Sequence, residues 1–242
     1  DYIDKIKNEY DIVVFGYLQY MFSMKSVETI AQKLKVPIFL STIDMYLATG
    51  GCYYFGDCDG YISGCKQCKY VSKKNQIVVK KNALYKKGIL NMQNVSIIGN
   101  TWTSMVLNKS FVAREKKVYS GCILINENIF RDLGFEYARQ RFMVENDKFV
   151  VLAGCSNDSK RKGIKYLIES INIFYDQISK CKKKNIMLLL IGDVRQDYLK
   201  QIKMNVCLAG RLTINDLVLA YSSANVYVSP SIDDAGPSMV NQ

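Results

Sequence analysis

Four cysteines follow one another closely in the first third of the chain, with the spacing C-x5-C-x6-C-x2-C: Cys52, Cys58, Cys65 and Cys68. Thiolates are soft ligands, and four of them complete the tetrahedral shell that zinc prefers. Because such a shell leaves no open position, we expect a structural zinc ion that staples a long loop. Free thiols, or two disulfides in an oxidising compartment, are the alternatives that this spacing leaves open.

A cluster of cations stands in the second half of the chain, directly before a long apolar-periodic stretch. It consists of Lys160, Arg161 and Lys162 and is followed by Gly163. Consecutive cations at the start of a helix oppose the helix dipole, which favours anions there. A bound anion relieves this, because it accepts hydrogen bonds from the free backbone N–H groups and from Lys or Arg. We therefore expect a nucleotide diphosphate here, with a solvated basic loop as the alternative.

Two carboxylates stand near the end of the chain, where Asp233 and Asp234 are followed by Gly236 and Pro237. Paired carboxylates accept hydrogen bonds from sugar hydroxyls, and a glycine lets a ligand approach the backbone closely. We interpret this segment as a site for sugar hydroxyls. A simple turn with a helix cap is the alternative.

Composition and charge exclude several classes of protein. The 242 residues include no histidine, so the chain alone cannot build a Ser-His-Asp triad, a Cys-His dyad or a His-ligated metal site. Lys and Arg number 33 against 22 Asp and Glu, and the formal charge of +11 favours nucleotide phosphates, anionic lipid headgroups or nucleic acid as partners. With 49% hydrophobic and 23% charged residues the chain is neither disordered nor of low complexity. Neither an 18-residue apolar run nor a signal peptide is evident, which predicts a cytoplasmic protein.

Strand-like and helix-like segments alternate along the chain and must position these groups. We predict strands over residues 12–18, 36–44, 96–99, 118–125, 149–153, 187–191, 206–209 and 226–229. Helices are predicted near 24–34, 101–108, 137–142, 164–178, 198 and 214–220. Apolar strands that alternate with helices indicate a parallel sheet covered by helices. Ligands bind at the carboxyl ends of the strands in such sheets.

The pattern divides the chain into two domains. We expect a first α/β domain over residues 1–125 that contains the Cys-rich loop 45–75, a polar interdomain connection over 126–147, and a second α/β domain over 148–242. The chain starts without Met and stops in a segment with no helix-stop signal. We therefore expect a piece of a longer protein, with both domains incomplete.

Taken in order, the segments of the second half resemble those of the nucleotide-sugar glycosyltransferases of family 4. Residues 151–169 look like that family's strand, Lys-Gly phosphate loop and helix, and residues 188–193 (Leu-Leu-Leu-Ile-Gly-Asp) are similar to its next strand. Residues 224–231 resemble the family's "A-D-V-F-V-x-P-S" strand, and residues 234–237 look like the start of its Glu-x7-Glu motif. The order of the motifs is more specific than any one of them.

The first half is similar to one branch of this family. Residues 41–52 (Ser-Thr-Ile-Asp-Met-Tyr-Leu-Ala-Thr-Gly-Gly-Cys) resemble the run "T-x-H-D-M-W-x-x-T-G-G-C". That run precedes a Cys-rich loop in members that make bacterial capsular, exopolysaccharide or colanic-acid-type glycans. The resemblance implies the GT-B architecture of two Rossmann-like domains. It also implies transfer of a sugar, with retention, from a nucleotide-diphosphate donor to a glycan or lipid-linked acceptor.

The resemblance also implies roles for individual residues. Lys162 stands at the diphosphate-binding lysine, with Arg161 beside it as a second cation. Asp234 stands at the first Glu of Glu-x7-Glu, which contacts donor sugar hydroxyls, and Gln242 stands at the second, which contacts the ribose. The backbone of Gly236 and Pro237 would line the sugar pocket. Cations meet the charge of the leaving group in this family, so no catalytic metal is expected.

Several positions depart from the family pattern. Ile43 replaces the histidine that often lies close to the donor sugar, although the catalytic candidate Asp44 is retained beside it. Cys155 replaces a phosphate-binding arginine, Asp234 is one methylene shorter than Glu, and Gln242 lacks the charge of Glu. These changes motivate a rival hypothesis, a catalytically impaired remnant that binds a sugar nucleotide.

Other partners follow from charge. The positive surface favours peripheral contact with an anionic membrane, and for a cytoplasmic enzyme this contact would be at the inner face. A basic, zinc-stapled nucleic-acid-binding module is a second rival, to which Tyr70 and Tyr85 near the first lysine clusters give weak support. The sequence does not specify the donor sugar, its base or the acceptor.

Overall fold

The computed structural model describes residues 2–6, 8–121, 124–154, 160–236 and 238–241. It divides into two compact units, each with its own four-stranded parallel sheet. Unit 1 comprises Asp1–Ile123 with Asp234–Gly236, and unit 2 comprises Leu124–Asp233 with Pro237–Gln242. The predicted α/β class with two parallel sheets is confirmed.

Unit 1 contains a sheet in which the strands follow chain order. Its strands are β1 (Val13–Phe15), β2 (Ile38–Thr42), β3 (Val95–Gly99) and β4 (Val118–Ser120), and all neighbours pair in parallel. In β2 the alternate residues Ile38, Leu40 and Thr42 are buried. This period of two places one face of the strand against the core. Because the pairs are parallel, the carboxyl ends of all four strands lie at one edge of the sheet.

Within the described residues, unit 1 has four α-helices, which are α1 (Tyr2–Ile6), α2 (Met24–Leu34), α3 (Gln76–Leu90) and α4 (Thr101–Lys109). The Ser23 side chain caps α2 by accepting the Ser26 N–H at 3.1 Å, and the Asn100 side chain caps α4 by accepting the Thr103 N–H at 2.8 Å. These caps satisfy backbone donors that a helix start leaves without an intrahelical partner. The predicted bounds of α2 match the structure.

Helix α3 is an element that the sequence pattern did not predict. Its buried residues are Ala83, Lys86, Ile89 and Leu90, whereas Ile77, Val78, Leu84 and Tyr85 are exposed large side chains. A lysine on the buried face and apolar side chains on the outer face hide the usual amphipathic period.

Unit 2 contains a sheet with the order β7-β6-β5-β8. Its strands are β5 (Phe149–Gly154), β6 (Ile186–Ile191), β7 (Asn205–Gly210) and β8 (Val226–Val228), all parallel to their neighbours. The two central strands β5 and β6 are almost continuously buried, which is typical of a parallel sheet covered on both faces.

The α-helices of unit 2 are α5 (Phe135–Arg141), α6 (Ile164–Gln177), α7 (Lys180–Lys184), α8 (Gln196–Leu199), α9 (Ile214–Ser223) and α10 (Ser238–Asn241). Helix α6 buries Ile164, Leu167, Ile168 and Ile171, the face that its sequence period predicts. Residues 126–147, which were predicted as the interdomain connection, belong to unit 2, where α5 packs against α9.

A fully buried arginine joins several segments of unit 2. Arg139 donates to the carbonyl oxygens of Ser223, Glu145 and Asn146 and to Asn225 Oδ1, at 2.9–3.1 Å. Its guanidinium carbon lies 3.5 Å from the centre of the Phe135 ring. Because every contact involves a different residue, this one side chain fixes α5 against the end of α9 and the start of β8.

Within the described ranges, none of the helices is both long enough and apolar enough to cross a lipid bilayer.

Candidate functional site

The predicted anion-binding segment forms a tight turn at the start of α6. Residues Lys160–Lys162 make one 3₁₀ turn, Gly163 follows in the left-handed conformation with φ of 72°, and α6 begins at Ile164. None of the described side chains caps this helix start, whose N-cap is Gly163. Residues 155–159, which include Cys155, lie outside the described residues.

This basic turn packs against the segment that leaves β8. Arg161 Nη1 donates to the Asp233 carbonyl oxygen at 2.9 Å, and the Ile232 N–H donates to the Arg161 carbonyl oxygen at 2.8 Å. Strands β5 and β8 are parallel neighbours, so the segments after them emerge at the same edge of the sheet. The tertiary structure therefore brings the cations to the chain segment that precedes Asp234.

Gly163 makes this close packing feasible. A Cβ atom built on Gly163 would lie 1.9 Å from the Pro230 carbonyl oxygen and 2.7 Å from its carbonyl carbon. Backbone atoms cannot move away as a flexible side chain can, and the positive φ at this position already disfavours other residues. The Lys-Gly pair is thus a cation followed by the residue that lets two backbone segments touch.

The acidic segment is only partly described. Asp234 and Gly236 are half-buried, and Asp234 Oδ1 accepts the N–H of Ala235 at 3.0 Å. This short segment is grouped with unit 1, where Ala235 is buried and its carbonyl oxygen accepts a hydrogen bond from Asn100 Nδ2 at 2.5 Å. Pro237 and Gln242 lie outside the described residues. The roles assigned to Asp234, Gly236, Pro237 and Gln242 stay predictions.

Asp44 lies just beyond the carboxyl end of β2, at the edge of the unit 1 sheet where ligands bind in such folds. Its Oδ1 accepts the Tyr46 N–H at 2.7 Å, and its carbonyl oxygen accepts the Thr42 hydroxyl at 2.8 Å. Burial raises the pKa of Asp44, while the Tyr46 N–H and the charge of Lys86 lower that pKa. The carboxylate is half-buried and held in one orientation, as an acceptor of substrate hydroxyls must be.

Tyrosines surround Asp44. Asp44 raises the pKa of both Tyr17 and Tyr53, although desolvation is the larger cause for each. Tyr53 stacks on Tyr46 with ring centres 5.4 Å apart. A carboxylate beside aromatic rings presents both a hydrogen-bond acceptor and apolar faces, a combination suited to a sugar ring. Ile43, where the family has histidine, is 47% exposed.

The structure does not support the predicted zinc site. Cys52, Cys58, Cys65 and Cys68 are free, which was one alternative to metal binding, and across the described part of the chain no three Cys, Asp or Glu side chains are grouped to hold a metal ion. Cys65 Sγ accepts the Gly50 N–H at 3.2 Å instead. Burial raises the pKa of the Cys52 thiol, and so do the neighbouring thiols.

Other interactions hold the Cys-rich loop in place. The Gln76 side chain accepts the Cys68 N–H at 2.6 Å and donates to the carbonyl oxygens of Cys68 and Val71 at 2.8 and 3.1 Å. Phe55 stacks on Tyr61 with ring centres 4.6 Å apart. The hydrogen bonds of the Gln76 side chain and the stacking of Phe55 on Tyr61 thus hold the loop that a metal ion was expected to hold.

Sequence reasoning missed Lys86, which lies behind Asp44. It is 2% exposed and donates to the carbonyl oxygens of Tyr46 and Thr49 at 2.7 and 3.1 Å. Its position three residues after Ala83 and four before Leu90, on the buried face of α3, was the available signal. Because helix α3 was not predicted, this spacing could not indicate that Lys86 is buried.

Comparison of the sequence with protein-family models and with curated proteins finds no match. Solved structures do match. Sucrose-phosphate synthase from Thermosynechococcus elongatus is 16% identical with a TM-score of 0.58, over 95% of this chain and 52% of that one. HepE from Anabaena in complex with UDP and glucose is 16% identical with a TM-score of 0.53, over 95% and 55%. The N-terminal domain of Candida albicans trehalose-6-phosphate phosphatase is 14% identical with a TM-score of 0.62, over 98% and 54%.

The chain has the GT-B fold. The predicted fold is therefore confirmed, and the chain spans about half the length of the structures that it matches. At identities of 14–16% the likeness concerns the fold. A fold shared with a trehalose-6-phosphate phosphatase domain shows why activity has to be argued from the site.

Proposed function

We propose that this chain is part of a retaining glycosyltransferase of family 4 that takes its sugar from a nucleotide-diphosphate donor. The observation that carries the proposal is the basic turn Lys160–Lys162, which is bonded to the segment leaving β8 at the carboxyl edge of the unit 2 sheet. A pyrophosphate at this position would meet two or three cations and the first N–H groups of α6. HepE, which has this fold, is bound to UDP and glucose in its structure, and that supports the same class of donor here.

The charge that develops on the leaving nucleotide diphosphate is the main demand of the reaction. In the proposed site Lys162 donates to the diphosphate, and Arg161, held by its bond to Asp233, stands beside it. Preorganised cations and helix N–H groups stabilise such charge without a metal ion. Asp234 would accept donor sugar hydroxyls, the backbone of Gly236 and Pro237 would line that pocket, and Gln242 would bind the ribose.

The acceptor side belongs to unit 1 in this proposal. Asp44 and its surrounding tyrosines would receive a glycan or a lipid-linked sugar, in line with the resemblance to enzymes of bacterial surface polysaccharide synthesis. The outer face of α3 carries exposed Ile77, Val78 and Leu84 beside Lys80 and Lys81. Such a mixture of lysines and apolar side chains favours peripheral contact with an anionic membrane. We propose a cytoplasmic enzyme that works at the inner face of the membrane.

Calorimetric titration with UDP-glucose tests the donor site. Replacing Lys162 by Ala removes a charge-assisted hydrogen bond, so the affinity should fall by about 10- to 100-fold. Asp234→Ala should also weaken binding, through the lost sugar contacts. Lys165→Ala is the matched control, because Lys165 is an exposed lysine on α6, and its affinity should equal that of the parent chain. Unchanged affinity in both Lys162→Ala and Asp234→Ala would refute the site.

A non-catalytic sugar-nucleotide-binding protein is the second candidate. The exposed Ile43 side chain favours it, because an alkyl group cannot hydrogen-bond or titrate where the family has histidine. Release of UDP from UDP-glucose, followed with bacterial glycan acceptors, decides between the two candidates. Donor binding with no turnover would favour the binding protein.

A further inference from the structure

The buried lysine of α3 makes an unusual set of contacts. Lys86 Nζ donates to the carbonyl oxygens of Tyr46 and Thr49, and it lies 3.2 Å from the centre of the Tyr46 ring. Moving an ammonium group out of water is costly, even where carbonyl oxygens and an aromatic face replace part of its hydration. A methionine would pack in a similar volume without that cost. The presence of a lysine therefore calls for a role beyond filling the core.

Tyr46 connects this lysine to Asp44. The Tyr46 N–H donates to Asp44 Oδ1 at 2.7 Å, while its carbonyl oxygen accepts from Lys86 at 2.7 Å. Tyr46 also opens the short 3₁₀ turn Tyr46–Ala48, and Thr49, the second carbonyl partner of Lys86, ends that turn. Lys86 thus fixes both ends of the turn whose first N–H orients the carboxylate.

We propose that Lys86 is the positioning residue of Asp44: through the Tyr46–Ala48 turn it sets the orientation and the charge of that carboxylate. This inference deepens the proposed function, since the task of Asp44 toward an acceptor rests on it. The contacts among Lys86, Tyr46 and Asp44 do not depend on which reaction the protein performs. Lys86 itself touches no substrate in this proposal.

The electrostatics agree with this geometry. Burial lowers the pKa of Lys86 to about 7, against the smaller effects of Cys65, Asp44 and Cys52, which raise it. Asp44 is faced by Lys86 and by the tyrosines Tyr17, Tyr46 and Tyr53. The lysine charge lowers the pKa of Asp44, and the Asp44 charge raises that of Lys86, so the charge of each group affects the titration of the other. Charged or neutral, the lysine nitrogen still carries hydrogens for both carbonyl oxygens.

Carbon-13 NMR of the aspartate carboxyl groups tests the proposal without requiring enzyme activity. Asp44→Asn assigns the Asp44 signal in the full chain. In Lys86→Met the loss of the nearby charge should raise the pH of the Asp44 titration by about one unit. Lys86→Arg retains the charge and should leave the Asp44 midpoint below that of Lys86→Met. Lys81→Met, which removes an exposed lysine from the same helix, should leave the titration unchanged.

Two results would overturn the proposal. The first is an Asp44 titration that is the same in the parent chain and in a folded Lys86→Met variant, with folding checked by the fluorescence of Trp102 in unit 1. If Lys86→Met does not fold, the parent chain decides, because its Asp44 signal should show a second inflection near pH 7 as Lys86 loses its proton. A single-step curve would then reject the coupling.

Kinetics separate this proposal from the proposed function. If the protein transfers sugar from UDP-glucose, Lys86→Met should lower kcat by at least about tenfold with little change in the donor KM, because a misplaced group weakens the chemical step. Absence of transfer by the parent chain would refute the proposed function alone. The NMR titration would still decide the role of Lys86.

Discussion

Among the described residues, each unit of this molecule buries one long cationic side chain, and the two are used differently. Arg139 in unit 2 and Lys86 in unit 1 both donate to backbone carbonyl oxygens and both lie against an aromatic ring, that of Phe135 at 3.5 Å and that of Tyr46 at 3.2 Å. Both side chains are almost completely shielded from solvent. They solve the same problem of placing a cation in a protein interior.

The difference lies in how many segments each cation joins and in whether it titrates. Arg139 has donors for four acceptors in two segments, residues 145–146 and 223–225. Burial lowers its pKa, but a guanidinium remains charged at any pH a protein survives. Lys86 serves one turn, and burial lowers its pKa to about 7. Arg139 therefore stays charged and has a structural role. Lys86 can lose its proton, and it lies behind Asp44, a candidate catalytic carboxylate.

Removal of the arginine should give the largest effect. Arg139→Met removes four hydrogen bonds, to three carbonyl oxygens and one side-chain oxygen, so the unfolding free energy of unit 2 should fall by about 3–5 kcal/mol. Hydrogen exchange of the β5 and β6 amides, read by mass spectrometry, measures this loss in unit 2 alone. Arg141→Met is the control: its surface ion pair with Asp216 should contribute far less. An equal loss of unfolding free energy in Arg139→Met and Arg141→Met would show that Arg139 has no special structural role.

An exchange of one cation for the other should have an intermediate effect. Arg139→Lys keeps a charge but cannot reach all four acceptors or stack as a planar group, so a loss of about 1–3 kcal/mol is expected from the same exchange measurement. Stability equal to that of the parent chain would mean that charge alone matters at this position. The proposed difference between the roles of Arg139 and Lys86 would then be wrong.

The titration of Lys86 should appear in the pH dependence of stability. Its pKa of about 7 in the folded chain lies below its ordinary value of 10.5, so between these values the unfolded chain holds a proton that the folded chain has lost. Stability of unit 1 should therefore rise with pH across this window, by up to about 1.4 kcal/mol per pH unit. Urea unfolding followed by Trp102 fluorescence at pH 7, 8 and 9 measures this slope.

Matched variants isolate the contribution of the lysine to that slope. Lys86→Met should lack the rise, because it has no titrating group at this position, while Lys81→Met should keep it. The stability difference between the parent chain and Lys86→Met then changes with pH in favour of the parent. A pH-independent difference would show that Lys86 does not titrate in this window.

Replacement of Gln76, an uncharged residue that holds the Cys-rich loop of unit 1, should have the smallest effect. Gln76→Ala removes three hydrogen bonds from the Cys-rich loop, at a loss of about 1 kcal/mol in the Trp102 experiment because part of the loop can bond to water instead. The buried Cys68 thiol should also react faster with a maleimide. Gln67→Ala, an exposed glutamine in the same loop, should change neither property. Unaltered reactivity in Gln76→Ala would mean that the loop is held elsewhere.

Much of the fold was predictable from sequence because its helices and strands have clear periods. The apolar face of α6 and the bounds of α2 follow from local spacing alone. Helix α3 escaped prediction because Lys86 occupies a buried position and Leu84 an exposed one. A lysine counts as polar in any periodic pattern, although here its partners allow it to be buried.

The sequence predicted the individual segments of the candidate site, but it did not predict which of them lie together in space. The cations before α6 stand out because they oppose the helix dipole, and Gly163 stands out as their neighbour. The zinc site expected from the four cysteines is not supported, because spacing along a chain does not report whether three or more ligands lie together, and the described residues contain no such group. Their loop is ordered by Gln76 and by aromatic stacking, contacts that no spacing rule describes.

The sequence by itself determined the fold class, the order of the strands and of most helices, and the chemical types available near each strand end, because these depend on neighbours along the chain. Only the tertiary structure decided that the Arg161 turn meets the segment after β8, that Gly163 is the residue that permits this, and that Lys86 stands behind Asp44. The physical reason is that hydrogen bonds and electrostatic interactions act over a few ångströms in space. Residues forty or seventy positions apart become neighbours only when the sheet is assembled.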